Sequence, residues 1–562
     1  MSSNIDAEPI GTLVGNTGQL NVTAAIDDSY SLKRGGFVRI PHQEIRDGDT
    51  RWVLGRAVSV RRSSMFFDEE LGGDVTDIQV LVDEEFGEDV FASIELIGYV
   101  DRETGEIKSP RRPLDPGSNI YPVSSDFLQL FYEYTPETSV QLGHLVGYEE
   151  GENAVPIYID INKIATEHMA VLAMTGAGKS YTVGRIMELM LSQTNASILV
   201  FDPHGEYGKT VAGGELSFND PSQFNENLQD ELLETRDQIK SLQEQGAGIR
   251  VYAPESDFAN QKYGQGNYTP LKLRLDSLGK EELTNIMPSM SEPQERLLSV
   301  ALRYWEAKYE KPRTISALID LLSTEFDSLK NWSQLTEEEQ TALSARSASI
   351  IALRLRNLVR STGIFYDGGS APIDIEDVVG RQNPTSASDD LGRIAVIDLE
   401  NVSNQAMQVV VGVLGNEIIE NVGGVSNPLR PVFTVLEEGH LFAPAQGSSV
   451  AEPIIRKIAA EGRKFGIGLG IISQRPSKLD SDVTSQCNTL VTMRLKNPND
   501  QAFIRKASEM LSQQDIDELP ALSTGEALVT GEAIRAPLLV KMGPKILEHG
   551  GMAPEVVQEW RS

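Results

Sequence analysis

An apolar run, Met169 to Ala173, opens directly onto Met-Thr-Gly-Ala-Gly-Lys-Ser180, and a helical pattern follows with Val183, Ile186, Met187 and Met190 on one face. Continuous apolarity marks a strand buried on both faces, as in a parallel sheet. A strand, a glycine-rich loop and a helix in that order form a phosphate-binding unit. Gly176 and Gly178 let backbone amides close around an anion, and the helix N-terminus adds its partial positive charge. Lys179 can reach β- and γ-phosphates, and the Ser180 hydroxyl can ligate Mg2+. The expected nucleotide contacts are Thr175, Gly176, Ala177, Gly178, Lys179, Ser180 and Tyr181, with ATP and Mg2+ as ligands. Ala173 stands at the motif's first glycine, a tolerable exchange where φ stays negative.

Other apolar runs also end in polar groups. Val432 to Leu436 ends in Glu437-Glu438. In a phosphate-loop ATPase one carboxylate at such a strand end holds the Mg2+ shell and a neighbour orients the attacking water. Glu437 suits the first role, through water, and Glu438 the second. Ile471-Ile-Ser473 leads to Gln474, a candidate contact for the γ-phosphate or the water. Ile198 to Phe201 leads to Asp202-Pro-His-Gly-Glu-Tyr207. That places Asp202 and Glu206 on the edge where parallel sheets bind ligands. Arg463 and Lys464 follow a helix in Glu461-Gly-Arg-Lys-Phe-Gly466. They are either a solvated basic helix end, favoured by the dipole, or an arginine that reaches a neighbour's ATP.

The 562 residues exceed what one core fills. Residues 1–122 read as a small β-barrel. Leu20, Val22, Ala24 and Ile26 alternate with polar neighbours, and Phe37 to Ile40, Val53 to Val60, Asp77 to Val82 and Phe91 to Val100 follow. Turn signals lie at Gly35-Gly36, Asp47-Gly48-Asp49 and Gly72-Gly73, and residues 102–122 read as a loop. Residues 123–219 and 367–540 read as two parts of one α/β domain, with a polar loop near Asn383-Pro384. Between them, residues 220–366 carry amphipathic patterns and read as a helical insertion; residues 541–562 form a tail. The single cysteine, Cys487, excludes an intrachain disulfide and a cysteine-based metal centre. No apolar stretch approaches a membrane span and the start is polar and acidic, so a soluble, cytoplasmic protein is expected. Fifty Lys and Arg against 82 Asp and Glu leave a net charge of −32. That balance argues against non-specific coating of DNA, leaves room for a basic channel inside an acidic shell, and suits a high-salt cytoplasm.

In order along the chain, these motifs resemble the HerA/FtsK superfamily, and within it the HerA family. Gly11-Thr-Leu-Val-Gly15, Leu32 to Ile40 and Leu142-Gly-His-Leu145 extend the resemblance over most of the sequence. It implies a RecA-like P-loop ATPase core with an N-terminal β-barrel and a helical insertion. It implies a homohexameric ring with ATP sites between subunits and double-stranded DNA in the central pore. It further implies an effector on the barrel and a C-terminal tail bracing the adjacent subunit. The effector is a NurA-like nuclease in DNA-end resection, or a nuclease or Sir2-like protein in phage defence. Lys179, Glu437, Glu438, Gln474, Asp202 and Arg463 would carry catalysis. The sequence departs from the family pattern at Ala173, at Glu437, where Asp is usual, and at Gly439, where Ala is usual. The activity implied is an ATP-driven DNA translocase or helicase. A ring scaffold whose assembly ATP controls is the first alternative. A small-substrate P-loop kinase is the second, and the long insertion and the Arg463-Lys464 pair fit it poorly.

Overall fold

The computed structural model describes residues 8–550 apart from 43–50, 64–88, 102–103, 150, 209–210, 212–214, 275–279, 281–282, 285–286, 288–289, 311–312, 383–390, 423–428, 509–510 and 549. The expected strand Asp77 to Val82, the turns at Asp47 and Gly72 and the Asn383-Pro384 loop lie outside these residues.

The N-terminal strands are β1 (Gly11–Val14), β2 (Asn21–Ile26), β3 (Phe37–His42), β4 (Arg51–Ser63), β5 (Asp89–Val100), β6 (Ile107–Lys108) and β7 (Asn119–Pro122). Six of them run β2-β1-β7-β3-β4-β5 and close through a β2–β5 pairing into a barrel, with β6 paired outside the ring. Val22, Ala24 and Ile26 point inward beside Ile40, Val53, Ile94 and Ile120, as their alternation requires. Leu20 precedes the strand and is exposed. Residues 102–122, expected to be a loop, supply β7, which completes the ring. Its four residues bury only Ile120 and end in proline, too little for a periodic signal.

The rest builds one twelve-stranded sheet. Its strands are β8 (Ser139–Leu145), β9 (Pro156–Asp160), β10 (Met169–Leu172), β11 (Ser197–Asp202), β12 (Gly248–Ala253), β13 (Thr269–Pro270), β14 (Arg393–Asp398), β15 (Val432–Leu436), β16 (Ile467–Ser473), β17 (Thr489–Met493), β18 (Glu526–Gly531) and β19 (Leu538–Met542). The order is β13-β12-β14-β11-β15-β16-β10-β17-β18-β19-β8-β9, parallel from β13 to β17 and antiparallel beyond. Every residue of β10, β11, β14, β15, β16 and β17 is buried, which explains their predominantly apolar sequences. The fold is therefore α/β with a separate N-terminal barrel.

Residues 220–366 are not helical throughout. Glu226–Glu244 is a crossover helix that leads into β12, a strand of the main sheet beside β14. The helices Glu292–Lys308, Ile315–Ser323 and Ala345–Thr362 then bury Leu298, Trp305, Leu318, Leu322, Ile351 and Leu355 in one core. The described end of the chain packs back on the chain itself. The Glu188 carboxylate accepts the backbone amides of Ile546 (3.0 Å) and Leu547 (2.9 Å). Val556, Val557 and Trp560 lie outside the described residues. Among the described residues no helix is long and apolar enough to cross a membrane.

Candidate nucleotide site

Four strands far apart in sequence are neighbours in the order β11-β15-β16-β10, so their carboxyl ends form one edge. From them come the Asp202 turn, Glu437-Glu438, Gln474 and the phosphate loop.

The loop leaves β10 and enters the helix Lys179–Thr194. Gly176 and Gly178 have φ of +78° and +99°, which a side chain would resist. Gly178 is the N-cap and offers no side-chain hydrogen bond to the helix, whereas the helices after Ser403, Asp480 and Asn497 are each capped by a side chain. The first amides of the phosphate-loop helix are thus left to an anion. Gly525 N–H donates to the Ala177 carbonyl (3.1 Å) and Thr524 Oγ1 to that of Gly176 (3.4 Å), bracing the loop from β18's side.

Lys179 is buried, with its ammonium bonded to Glu437 and, at 3.0 Å, to Glu438 Oε1. Burial works to lower its pKa, but the two carboxylates outweigh it and hold the ammonium above its ordinary value. Burial lifts the fully enclosed Glu437 carboxyl to about 7 against the pull of Lys179. Glu437 also accepts the Tyr207 hydroxyl at 3.0 Å. Glu438 differs: burial is outweighed by His440 and Lys179, which pull it down to about 2. Its backbone sits at φ +50°, an uncommon conformation for a non-glycine residue and a form of strain that clusters at working sites. Gln474 Nε2 donates to Glu438 Oε1 at 2.7 Å while its carbonyl oxygen accepts the Thr175 hydroxyl.

Asp202 acts through the backbone. Its carboxylate accepts the amides of Glu206 (3.1 Å) and Tyr207 (2.8 Å), fixing the turn. Burial, then the nearby Asp398, raises its pKa to about 7. The turn aims Glu206 at Ser180, whose hydroxyl donates to it, and Tyr207 at Glu437. Tyr181, the last expected nucleotide contact, accepts the Lys545 amide at 2.8 Å with its hydroxyl.

Arg463 is not part of this cluster. Its guanidinium lies 3.1 Å from Glu167 Oε1, beside the amino end of β10. The loop is at the other end of that strand, roughly 13 Å away at 3.3 Å per residue. The side chain is two-thirds exposed (67%).

Sequence reasoning did not find His440 beside Glu438 (3.3 Å), the Tyr207–Glu437 bond, or Arg494, whose Nη2 reaches the Gly176 carbonyl at 3.4 Å. Arg494 directly follows β17, the other neighbour of β10. The rule that parallel strands present ligands at their carboxyl ends would have singled it out, had the strand order been known.

These residues fit a nucleoside triphosphate and a hard divalent cation. The helix-start amides, which no side chain caps, and the Lys179 ammonium would serve the phosphates, and the Ser180 hydroxyl with the Glu206 and Glu437 carboxylates offers oxygen donors.

Gly439 has a packing reason as well. A Cβ there would stand 2.3 Å from Cγ1 of Ile471 on β16. Gly439→Ala is expected to destabilise the protein by about 1–3 kcal/mol, the usual range for overpacking. Denaturant unfolding checks this, and an unchanged midpoint would remove the steric account.

The family profile described as "Helicase HerA, central domain" matches residues 140–418. The DNA double-strand break repair helicase HerA of Pyrococcus furiosus is 28% identical, covering 95% of this chain and 92% of its own. The helicase of the same description from Sulfolobus acidocaldarius is 26% identical over 98% of this chain and 96% of its own. Among solved structures, VirB4 of Thermoanaerobacter pseudethanolicus aligns with a TM-score of 0.45 at 14% identity, over 73% of this chain and 97% of that one.

Proposed function

We propose that this chain is a HerA-type P-loop ATPase and an ATP-driven motor on double-stranded DNA. The observation that carries the reading is the convergence of Lys179, Ser180, Glu437, Glu438 and Gln474 on one sheet edge. The relatives named above are DNA double-strand break repair helicases, which points to DNA as the track and DNA-end processing as the setting. On this reading the working form is a cytoplasmic homohexamer. DNA threads its central pore, and a NurA-like nuclease docks on the ring.

Each residue then has a task. Lys179 leaves its two carboxylates for the β- and γ-phosphates as nucleotide enters. Glu438, held anionic, orients the attacking water, and Gln474, bonded to it and to Thr175, senses the γ-phosphate. Asp202 sets the turn that carries Glu206 and Tyr207. Mg2+ would be held by Ser180, with Glu206 and Glu437 acting through water, and would neutralise charge on the β- and γ-oxygens.

ATP hydrolysis measured with and without duplex DNA, on a sample of known oligomer mass, tests the reading. Turnover indifferent to duplex in a monomer would overturn it.

Arg463, a strand's length from its own loop, is assigned to a neighbour's ATP. Arginine suits this because it stays charged and presents a planar fork of donors. Arg463→Ala is expected to bind ATP yet lose about 10³-fold or more in turnover. Mixing it with Lys179→Ala subunits should restore part of the activity, because junctions with both groups intact reappear. A flat ATPase profile across mixing ratios, with subunit exchange confirmed, removes the trans role.

A further inference from the structure

On the helix Glu292–Lys308, every cation of the outer face is paired: Arg296 with Glu292, Arg303 with Glu339 and Lys308 with Glu325. The helix Ala345–Thr362 is built differently. Its sequence, ARSASIIALRLRNLVRST, carries four arginines and no acidic residue, in a chain whose net charge is −32. Its buried face is Ala348, Ile351, Ala352 and Leu355. At 3.6 residues per turn, Arg346, Arg356 and Arg360 share one arc of about 80° on the other side, and all three are exposed. Ser349, Leu353 and Asn357 complete that face, so it is uncharged apart from its arginines.

Local helix physics accounts for only part of this. Arg360, in the last turn, is favoured by the helix dipole, but Arg346, in the first turn, is disfavoured by it. Arg356 reaches the Ser323 hydroxyl at 3.1 Å. Neither Arg346 nor Arg360 has an ionic partner among the described residues. The helix end adjoins the edge of the sheet that carries the nucleotide site. Arg360, Thr362 and Gly363 line a cavity of about 250 Å³ with Ala253, Asp398 and Glu400. The carboxylates there are already engaged: Lys262 holds Asp398 (2.8 Å) and Glu400 (2.6 Å), and Lys272 holds Glu255 (3.1 Å). Arg360 forms no ion pair with any of them among the described residues, so its guanidinium stays open to an outside anion. From Arg346 to Arg360 the helix rises about 21 Å, the length of about six base pairs at 3.4 Å per step.

We propose that the exposed face of Ala345–Thr362, through Arg346, Arg356 and Arg360, is a binding surface for the phosphate backbone of duplex DNA. The proposal rests on the DNA-motor reading and adds the surface that meets the track. Three cations spaced along one helix face contact a polyanion without reading its sequence, as a motor that moves over any sequence requires.

The test uses the full chain with Arg346→Gln, Arg356→Gln and Arg360→Gln combined. A control carries Arg296→Gln, Arg303→Gln and Lys308→Gln, which removes equal charge from the adjacent helix. Binding of a fluorescent duplex is followed by anisotropy across a salt series, with DNA-free ATP turnover and a thermal melt as checks on the fold. The first variant should bind more weakly, and its log K against log salt slope should shrink by up to about 2.7, or about 0.9 for each phosphate no longer neutralised. The control should keep its slope, and both should keep DNA-free turnover. An unchanged slope in the first variant, or an equal drop in the control, overturns the surface. Failure of the unsubstituted protein to bind duplex at all overturns the motor reading, and this surface with it.

Discussion

Lys179→Ala is expected to reduce ATP hydrolysis to near background while the protein still folds. The ammonium is the one cation bonded to both Glu437 and Glu438 among the described residues. On the proposed reading its charge complements the β- and γ-oxygens, where negative charge develops as the phosphoryl group leaves. Removing one such preorganised group costs about 10²–10³ in turnover. Here the loss should be larger, because the two carboxylates are left facing each other and the incoming phosphates without compensation. Steady-state turnover, binding of a fluorescent ATP analogue and circular dichroism together check the result. Near-parental turnover would sink the assignment of the loop.

Glu438→Gln should bind ATP but hydrolyse it at least about 100-fold more slowly, since general-base assistance contributes about 10²–10⁴. Shape and hydrogen-bonding reach are kept and the charge is lost. The neighbourhood singles out Glu438 over Glu437. Glu438 is held down to about 2 by His440 and Lys179 despite its burial, whereas Glu437 is fully enclosed and pushed up to about 7. The pair of single variants, Glu437→Gln and Glu438→Gln, decides between them by turnover at saturating ATP with binding measured separately. If Glu437→Gln is the slower hydrolyser with binding intact, the two roles are exchanged.

Much of the site was legible because its parts are local. The strand, loop and helix of residues 169–190 lie in one stretch, and each piece has its own signature: unbroken apolarity, two glycines, and a 3.6-residue period. Glu437-Glu438 and Gln474 were legible for the same reason, as polar residues that abruptly end buried strands. The barrel strand β2 showed its alternation, and β7 did not, being four residues long. β12 was hidden by position, a six-residue run set among amphipathic helices.

What the sequence alone determined is most of the buried strands of the central sheet, the loop with a phosphate-binding pattern and the carboxylates that end a strand, since side-chain periodicity and turn chemistry act over a few residues. Only the tertiary structure decided that β11, β15, β16 and β10 stand side by side. Only there does Tyr207 meet Glu437 across 230 residues and Arg494 meet Gly176 across 318. Only there does Arg463 fall at the opposite end of β10 from the loop. Lateral strand order follows from how crossover helices pack on a twisted sheet, a long-range outcome that no short window of residues encodes.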